Sequence, residues 1–214
     1  MGQRAALVVV DVQNDFCPGG ALAVPAGDAI IPRVNRTAAL FTRRGLPVIF
    51  TRDWHPRQTK HFKEFGGAWP AHCIQGTKGA RFHPDLEVPK GALVLSKGMD
   101  PEVDSYSGFQ AFTENGRDFE SMLRELAVDE LFVCGLATDY CVRATALDGL
   151  RRGFNVRILR DAIRGVDAKA GDSEIAMKEM RAHGAQFKQT RGLAKLLPKT
   201  DSPHANRHLK AANR

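Results

Sequence analysis

Residues 6–10 form an unbroken apolar run that stops at Asp11, and comparable runs recur at 47–52, 92–96, 131–134, 155–159 and 185–187. Between them lie stretches of helical period. Ile31, Val34, Ala38 and Phe41 recur on one face, and Gly45 marks the end of that helix. Phe119, Met122, Leu123 and Leu126 share a face of another, and further helices are expected over 139–152 and 172–183. Strands without polar alternation are buried on both faces. Their alternation with helices calls for parallel pairing through right-handed crossovers. The expected fold is an α/β protein, a three-layer α/β/α sandwich with a central, mostly parallel sheet of about six strands. One segment breaks the pattern. Residues 53–90 are rich in Gly, Pro and His, and a compact domain keeps so long an irregular loop only where it serves a function.

The 214 residues suffice for one sizeable core, and no repeat or linker suggests two. We expect a single domain over 1–198 and a basic, disordered tail over 199–214. No apolar stretch approaches the ~20 residues that span a membrane, and the N-terminus lacks a signal peptide, so the expected location is cytoplasmic with no membrane partner. The four cysteines include no CxxC pair, and in such a chain free thiols are the default. The net charge of +7 raises the question of nucleic acid. From Lys188 onward, however, seven basic residues face only Asp201, a net +6 that leaves the rest of the chain at +1. The body is nearly neutral, and no specific nucleic-acid partner is expected.

In open α/β sheets, ligands bind beyond the carboxyl ends of the strands. That rule singles out Asp11, Asp53, Lys97 and Cys141, each at or just after a strand. Cys141 lies in a turn that opens a helix, where the helix dipole lowers a thiol pKa and free backbone N–H groups can hold an oxyanion. A buried structural cysteine accounts equally well for this motif alone. Asp11 beside it could take the thiol proton, and Lys97 could keep that carboxylate ionised. A structural ion pair has the same spacing.

Asp53, His55, His61 and His72 place one carboxylate and three imidazoles within twenty residues. That donor set suits one divalent metal ion, and Zn, Fe and Mn all fit it. Scattered surface histidines are the alternative. Phe16, Trp69 and Tyr106 could wall a pocket for a flat heterocycle, or simply pack.

Assembled, these residues carry a resemblance. The segments Val10-Asp-Val-Gln-Asn-Asp-Phe-Cys-Pro-Gly-Gly20 and Gly135-Leu-Ala-Thr-Asp-Tyr-Cys-Val142 resemble the isochorismatase-like cysteine hydrolases. Asp53-Trp-His55 and Trp69-Pro-Ala-His72 resemble the metal-binding nicotinamidase (pyrazinamidase) branch, and Gly79-Ala-Arg-Phe-His-Pro84, Lys97-Gly98 and Tyr106-Ser-Gly-Phe109 add to the overall resemblance. The similarity extends over about 5–187. It implies a triad of Cys141 as nucleophile, Asp11 as general acid/base and Lys97 as electrostatic partner. It implies metal ligation by Asp53, His55, His61 and His72. It implies a cis Leu136–Ala137 peptide, with the Ala137 and Cys141 N–H groups forming an oxyanion hole. Phe16 and Trp69 would sandwich a pyridine ring, with Tyr106, Ala137 and Gln13 also at the substrate. The implied activity is hydrolysis of nicotinamide to nicotinic acid and ammonia through a Cys thioester in NAD salvage, with pyrazinamide as a second substrate. The alternative is a related amidohydrolase for a carbamoyl or ureido group. An exposed helix face would allow a homo-oligomer.

Overall fold

The computed structural model describes residues 4–198. Six strands, β1 (Ala5–Val10), β2 (Val48–Asp53), β3 (Leu93–Lys97), β4 (Glu130–Leu136), β5 (Asn155–Arg164) and β6 (Gln186–Lys188), form one sheet in the order β3-β2-β1-β4-β5-β6. Every neighbouring pair is parallel, so the sheet expected as mostly parallel is wholly so among the described residues. The longer helices are α1 (Ile31–Arg43), α2 (Phe119–Glu125), α3 (Arg143–Arg151) and α4 (Asp172–Ala182).

Strand β1 shows why its sequence has no polar alternation. Ala5, Leu7 and Val9 pack with Ile31, Val34, Ala38 and Phe41 of α1 on one face. Ala6, Val8 and Val10 pack with α2, α3 and α4 through Phe119, Met122, Ala146, Leu147, Met177 and Met180 on the other. Both pleat directions meet a core, and each buried Leu or Val contributes about 1.5–3 kcal/mol. Helix α1 carries Pro32 in its first turn and ends where Gly45 takes φ 63° and Leu46 N–H returns to the Phe41 carbonyl at 3.0 Å. Helix α2 starts on Asp118, whose carboxylate accepts the Ser121 N–H at 2.9 Å.

Several boundaries differ from the sequence reading. Strands β2 and β3 each run one residue further, so Asp53 and Lys97 are the last residues of their strands and lie in register with each other. Strand β5 continues to Arg164. The helix expected from residue 139 is instead a π-helical turn, Thr138–Val142, leading into α3. Such turns often mark functional positions.

Strands β1 to β3 build outward in one direction and β4 to β6 in the other, so the chain reverses its winding between β1 and β4. A crevice opens at the carboxyl ends of such a pair. Gly135 (φ 114°) lets the two strands close there, because a Cβ would overlap the Val10 carbonyl. Among the described residues, no helix is long and apolar enough to cross a membrane. The basic tail expected over 199–214 lies outside the described residues.

Candidate active site

Four side chains at or just beyond the strand ends converge at that crevice. Asp11 follows β1 directly, Asp53 ends β2, Lys97 ends β3, and Cys141 sits in the π-turn after β4. The Lys97 ammonium is their centre. It lies 3.0 Å from Asp11 Oδ2, contacts Asp53 Oδ1, and stands 3.6 Å from Cys141 Sγ. Asp11 Oδ1 accepts the Thr51 hydroxyl at 2.7 Å, which fixes the carboxylate's rotation. Lys97 and Asp11 are both 0% exposed. A buried ammonium persists only with carboxylate partners at this range. Ligand atoms of Asp11, Asp53 and Cys141 lie within 4.8 Å of one another, but the cation among them is the ammonium itself.

The electrostatics correct one expectation. A helix N-terminus was expected to acidify Cys141, yet its thiol pKa is raised well above the ordinary value. Burial is the main cause, and the nearby Lys97 offsets it only in part. Burial also raises Asp11, again against the pull of Lys97. For Lys97, burial works against the charge, but Asp11 and Asp53 outweigh it and raise its pKa well above normal. The resting site therefore holds a protonated thiol beside a fixed positive charge and a carboxylate of raised pKa.

The second constellation stands on the segment between β2 and β3. One ring nitrogen from each of His55, His61 and His72 falls within 4.8 Å of the other two, and all three residues are buried. Each Nδ1 is engaged outward: His55 with the Gly98 carbonyl at 3.0 Å, His72 with the Pro70 carbonyl at 2.7 Å, His61 with Asp104 Oδ1 at 2.6 Å. That pattern puts the proton on Nδ1 and leaves the Nε2 lone pairs free. His55 Nε2 is buried without a partner. Asp53 Oδ2 lies 3.6 Å from it and 4.0 Å from His72 Nε2. Burial lowers the His72 pKa to about 4 and lowers that of His61, so both are neutral imidazoles near neutral pH. An orphaned buried nitrogen, three converging imidazoles and a carboxylate edge fit a divalent cation. Asp53 thus faces two ways, with Oδ1 toward Lys97 and Oδ2 toward the imidazoles.

The loop that carries these histidines is tied down at several points. Cys73 N–H donates to Asp15 Oδ2 at 2.7 Å, and His55 N–H to the Cys73 carbonyl at 3.0 Å. Cys73 takes φ 45°, unusual for a residue with a side chain, and the Asp15 bond holds it there. Gly98 (φ 69°) lies flat against the His55 ring, where a Cβ would overlap it.

A cleft of about 440 Å³, including its open mouth, lies over both constellations. Phe16, Trp69, Tyr106 and Ala137 line it, together with Cys141, Asp53, His61 and His72. Trp69 Nε1–H donates to Tyr106 Oη at 2.8 Å, and the Phe16 and His72 rings stand 5.5 Å apart. The Leu136–Ala137 peptide is cis, as the resemblance implied. Gln13 takes a different place from the one expected. Its amide accepts from Asp53 N–H at 2.7 Å and donates to the Asp53 and Ala80 carbonyls at 2.8 and 2.9 Å. Both N–H donors of that amide and one lone pair of its oxygen are used on backbone, and Gln13 does not line the cleft. It positions Asp53 instead. Sequence reasoning missed Tyr140, which packs edge-on to Trp69 at 5.0 Å, and also Asp15, Gly98 and Asp104. Asp15, Gly98 and Tyr140 sit inside or beside motifs already singled out. Asp104 carried no signal.

A thiol, a carboxylate and an ammonium at the carboxyl edge of a parallel sheet, opening on an apolar cleft, define the layout of an α/β cysteine hydrolase. The chain belongs to the isochorismatase family: the Isochorismatase domain model matches residues 5–191. It is 44% identical to the nicotinamidase of Escherichia coli (strain K12) over 199 residues, which covers 84% of this chain and 92% of that one. It is 41% identical to the nicotinamidase/pyrazinamidase of Mycobacterium tuberculosis over 188 residues, 85% of this chain and 97% of that one. Among solved structures, the pyrazinamidase of Pyrococcus horikoshii in complex with zinc matches with a TM-score of 0.80 at 47% identity. That match covers 87% of this chain and 99% of the other.

Proposed function

We propose that this protein is a nicotinamidase, an amidohydrolase that converts nicotinamide to nicotinic acid and ammonia and also accepts pyrazinamide. The observation that carries this reading is the meeting of two constellations under one cleft: the Lys97-centred triad and the three-imidazole cluster, joined through Asp53. The relatives named nicotinamidase support it. An amidase for carbamoyl or ureido groups is the less favoured alternative.

Phe16 and Trp69 would hold the flat ring, with Tyr106 closing the wall, and set its carboxamide over Cys141. As Sγ approaches the amide carbon, Asp11 takes the thiol proton. Lys97 compensates the negative charge that then develops on the sulfur. The Ala137 and Cys141 N–H groups receive the oxyanion. Asp11 passes its proton to the departing nitrogen, the C–N bond breaks, and ammonia leaves a thioester on Cys141. A water that gives its proton to Asp11 attacks the thioester carbon. Nicotinic acid departs, and Cys141 recovers its proton. Asp53, His55, His61 and His72 would hold the divalent metal, which supplies a Lewis acid for polarising water or orienting the ring. This chemistry serves NAD salvage in the cytoplasm, with a small molecule rather than a nucleic acid or a membrane as the partner.

Ammonia release from nicotinamide tests the reading. Reduced, metal-loaded wild type is expected to turn over. Cys141→Ala should lose about 10,000-fold or more in kcat, and a chelator should abolish turnover until metal is restored. Absence of turnover in the loaded wild type sinks the nicotinamide reading and turns attention to carbamoyl and ureido substrates.

A further inference from the structure

The outer partners of the three imidazoles are not alike. His55 and His72 donate to backbone carbonyls, whereas His61 pairs with a carboxylate, Asp104, at 2.6 Å. Asp104 belongs to a short strap that crosses the histidine loop and is fastened to it on both sides. Before Asp104, the Pro101 carbonyl accepts Lys60 N–H at 2.8 Å and the Thr59 hydroxyl at 3.1 Å, and Glu102 pairs with Lys60. After it, Tyr106 Oη accepts the Trp69 indole N–H at 2.8 Å. The strap is closed on itself by Gln110, which donates to the Asp104 carbonyl at 3.2 Å and accepts from Tyr106 N–H at 2.9 Å. His61 and Trp69 are joined too: Trp69 N–H donates to the His61 carbonyl at 3.3 Å. The result is a closed ring of contacts running His61, Asp104, Tyr106, Trp69 and back to His61.

We propose that Asp104 is a positioning residue that couples the metal site to the aromatic wall of the cleft. A carboxylate on Nδ1–H fixes the ring of His61 with Nε2 toward the other imidazoles and makes that nitrogen a stronger donor. Because Asp104 and Tyr106 share one stiff strap, the same contact that seats His61 seats Tyr106, and with it Trp69. Binding a cation at His61 therefore firms the wall on which the ring of the substrate lies. Asp104 touches neither the reacting atoms nor the cation.

This inference rests on the metal-site part of the reading above, and its test needs no turnover, so its failure and a failure of the nicotinamide reading are separable. Trp54 and Trp69 are the two tryptophans of the chain. In a Trp54→Phe background, Trp69 emission is followed while zinc is added against a competing chelator. Loading is expected to shift the emission. Asp104→Ala should raise the zinc concentration at half-change about tenfold or more. Asp104→Asn, which keeps an acceptor oxygen without its charge, should fall between. Asp104 is 62% exposed, so the melting temperature of the metal-free variants should stay at the parent value. Zinc binding that leaves Trp69 emission unchanged overturns the coupling. Unchanged zinc affinity in Asp104→Ala, or a loss matched by a lower metal-free melting temperature, overturns the positioning role.

Discussion

The two halves of the candidate site are held by different physics. Asp11, Asp53 and Lys97 stand on neighbouring strands, and the ladder that pairs Asp53 with Lys97 fixes their separation. Their positions follow from sheet register, and the surrounding core protects that register. The histidines stand on a segment with little regular structure: one 3-10 turn, Lys63–Phe65, and isolated bridges such as His55 with Ile74 and Phe62 with Trp69. Their positions follow from individual hydrogen bonds to Gly98, Pro70, Asp104 and Asp15. A sheet-borne group tolerates the loss of one contact because its neighbours in the ladder remain. A loop-borne ligand depends on each bond, and binding of a cation would supply part of the stability of its loop.

The largest effect that would sharpen this contrast is expected from Lys97→Met. It strips the cation from two buried carboxylates, and breaking such a pair costs about 3–5 kcal/mol. Denaturant unfolding should report that loss, and turnover should fall about 1,000-fold or more. A variant of unchanged stability would mean that the triad is not the rigid half. Next comes Gly98→Ala, which pushes on the His55 ring and forces a side chain into the left-handed region. Metal affinity, measured by chelator competition, should drop by about tenfold to 100-fold. Alkylation of Cys141 by iodoacetamide should keep its rate, because the change lies on the loop side; a large loss of that rate would erase the distinction between the halves.

The smallest effect is a displacement of the acid limb of kcat/KM. Asp11 must be ionised to accept the thiol proton, so activity is lost as pH falls through its pKa. Burial raises that pKa above the ordinary 3.8, so the limb should lie at higher pH than for a solvated carboxylate. The midpoint belongs to the coupled triad rather than to Asp11 alone. A limb at or below 3.8 in metal-saturated enzyme contradicts the buried-carboxylate account.

The sequence by itself determined the sheet and the kinds of chemistry. Unbroken apolar runs such as 6–10, too short for helices and rich in Val, fit strands covered on both faces, and their alternation with helical periods leads to a parallel α/β architecture. The strand-end rule brought Asp11, Asp53, Lys97 and Cys141 together, and donor density on one loop pointed to a metal. Tertiary structure alone decided how these groups behave. A helix terminus is readable in the chain and argues for an acidic thiol, but desolvation depends on everything packed around Cys141, and it raises the pKa instead. Gln13 reads as a polar group near the substrate until the fold brings Asp53 and Ala80 against its amide. Asp104 reads as a surface acid until the strap lays it on His61, more than forty residues earlier in the chain. Period and residue type are local properties of a sequence. Burial, register and the partner of a side chain come from segments far apart, and they exist only once the chain has closed on itself.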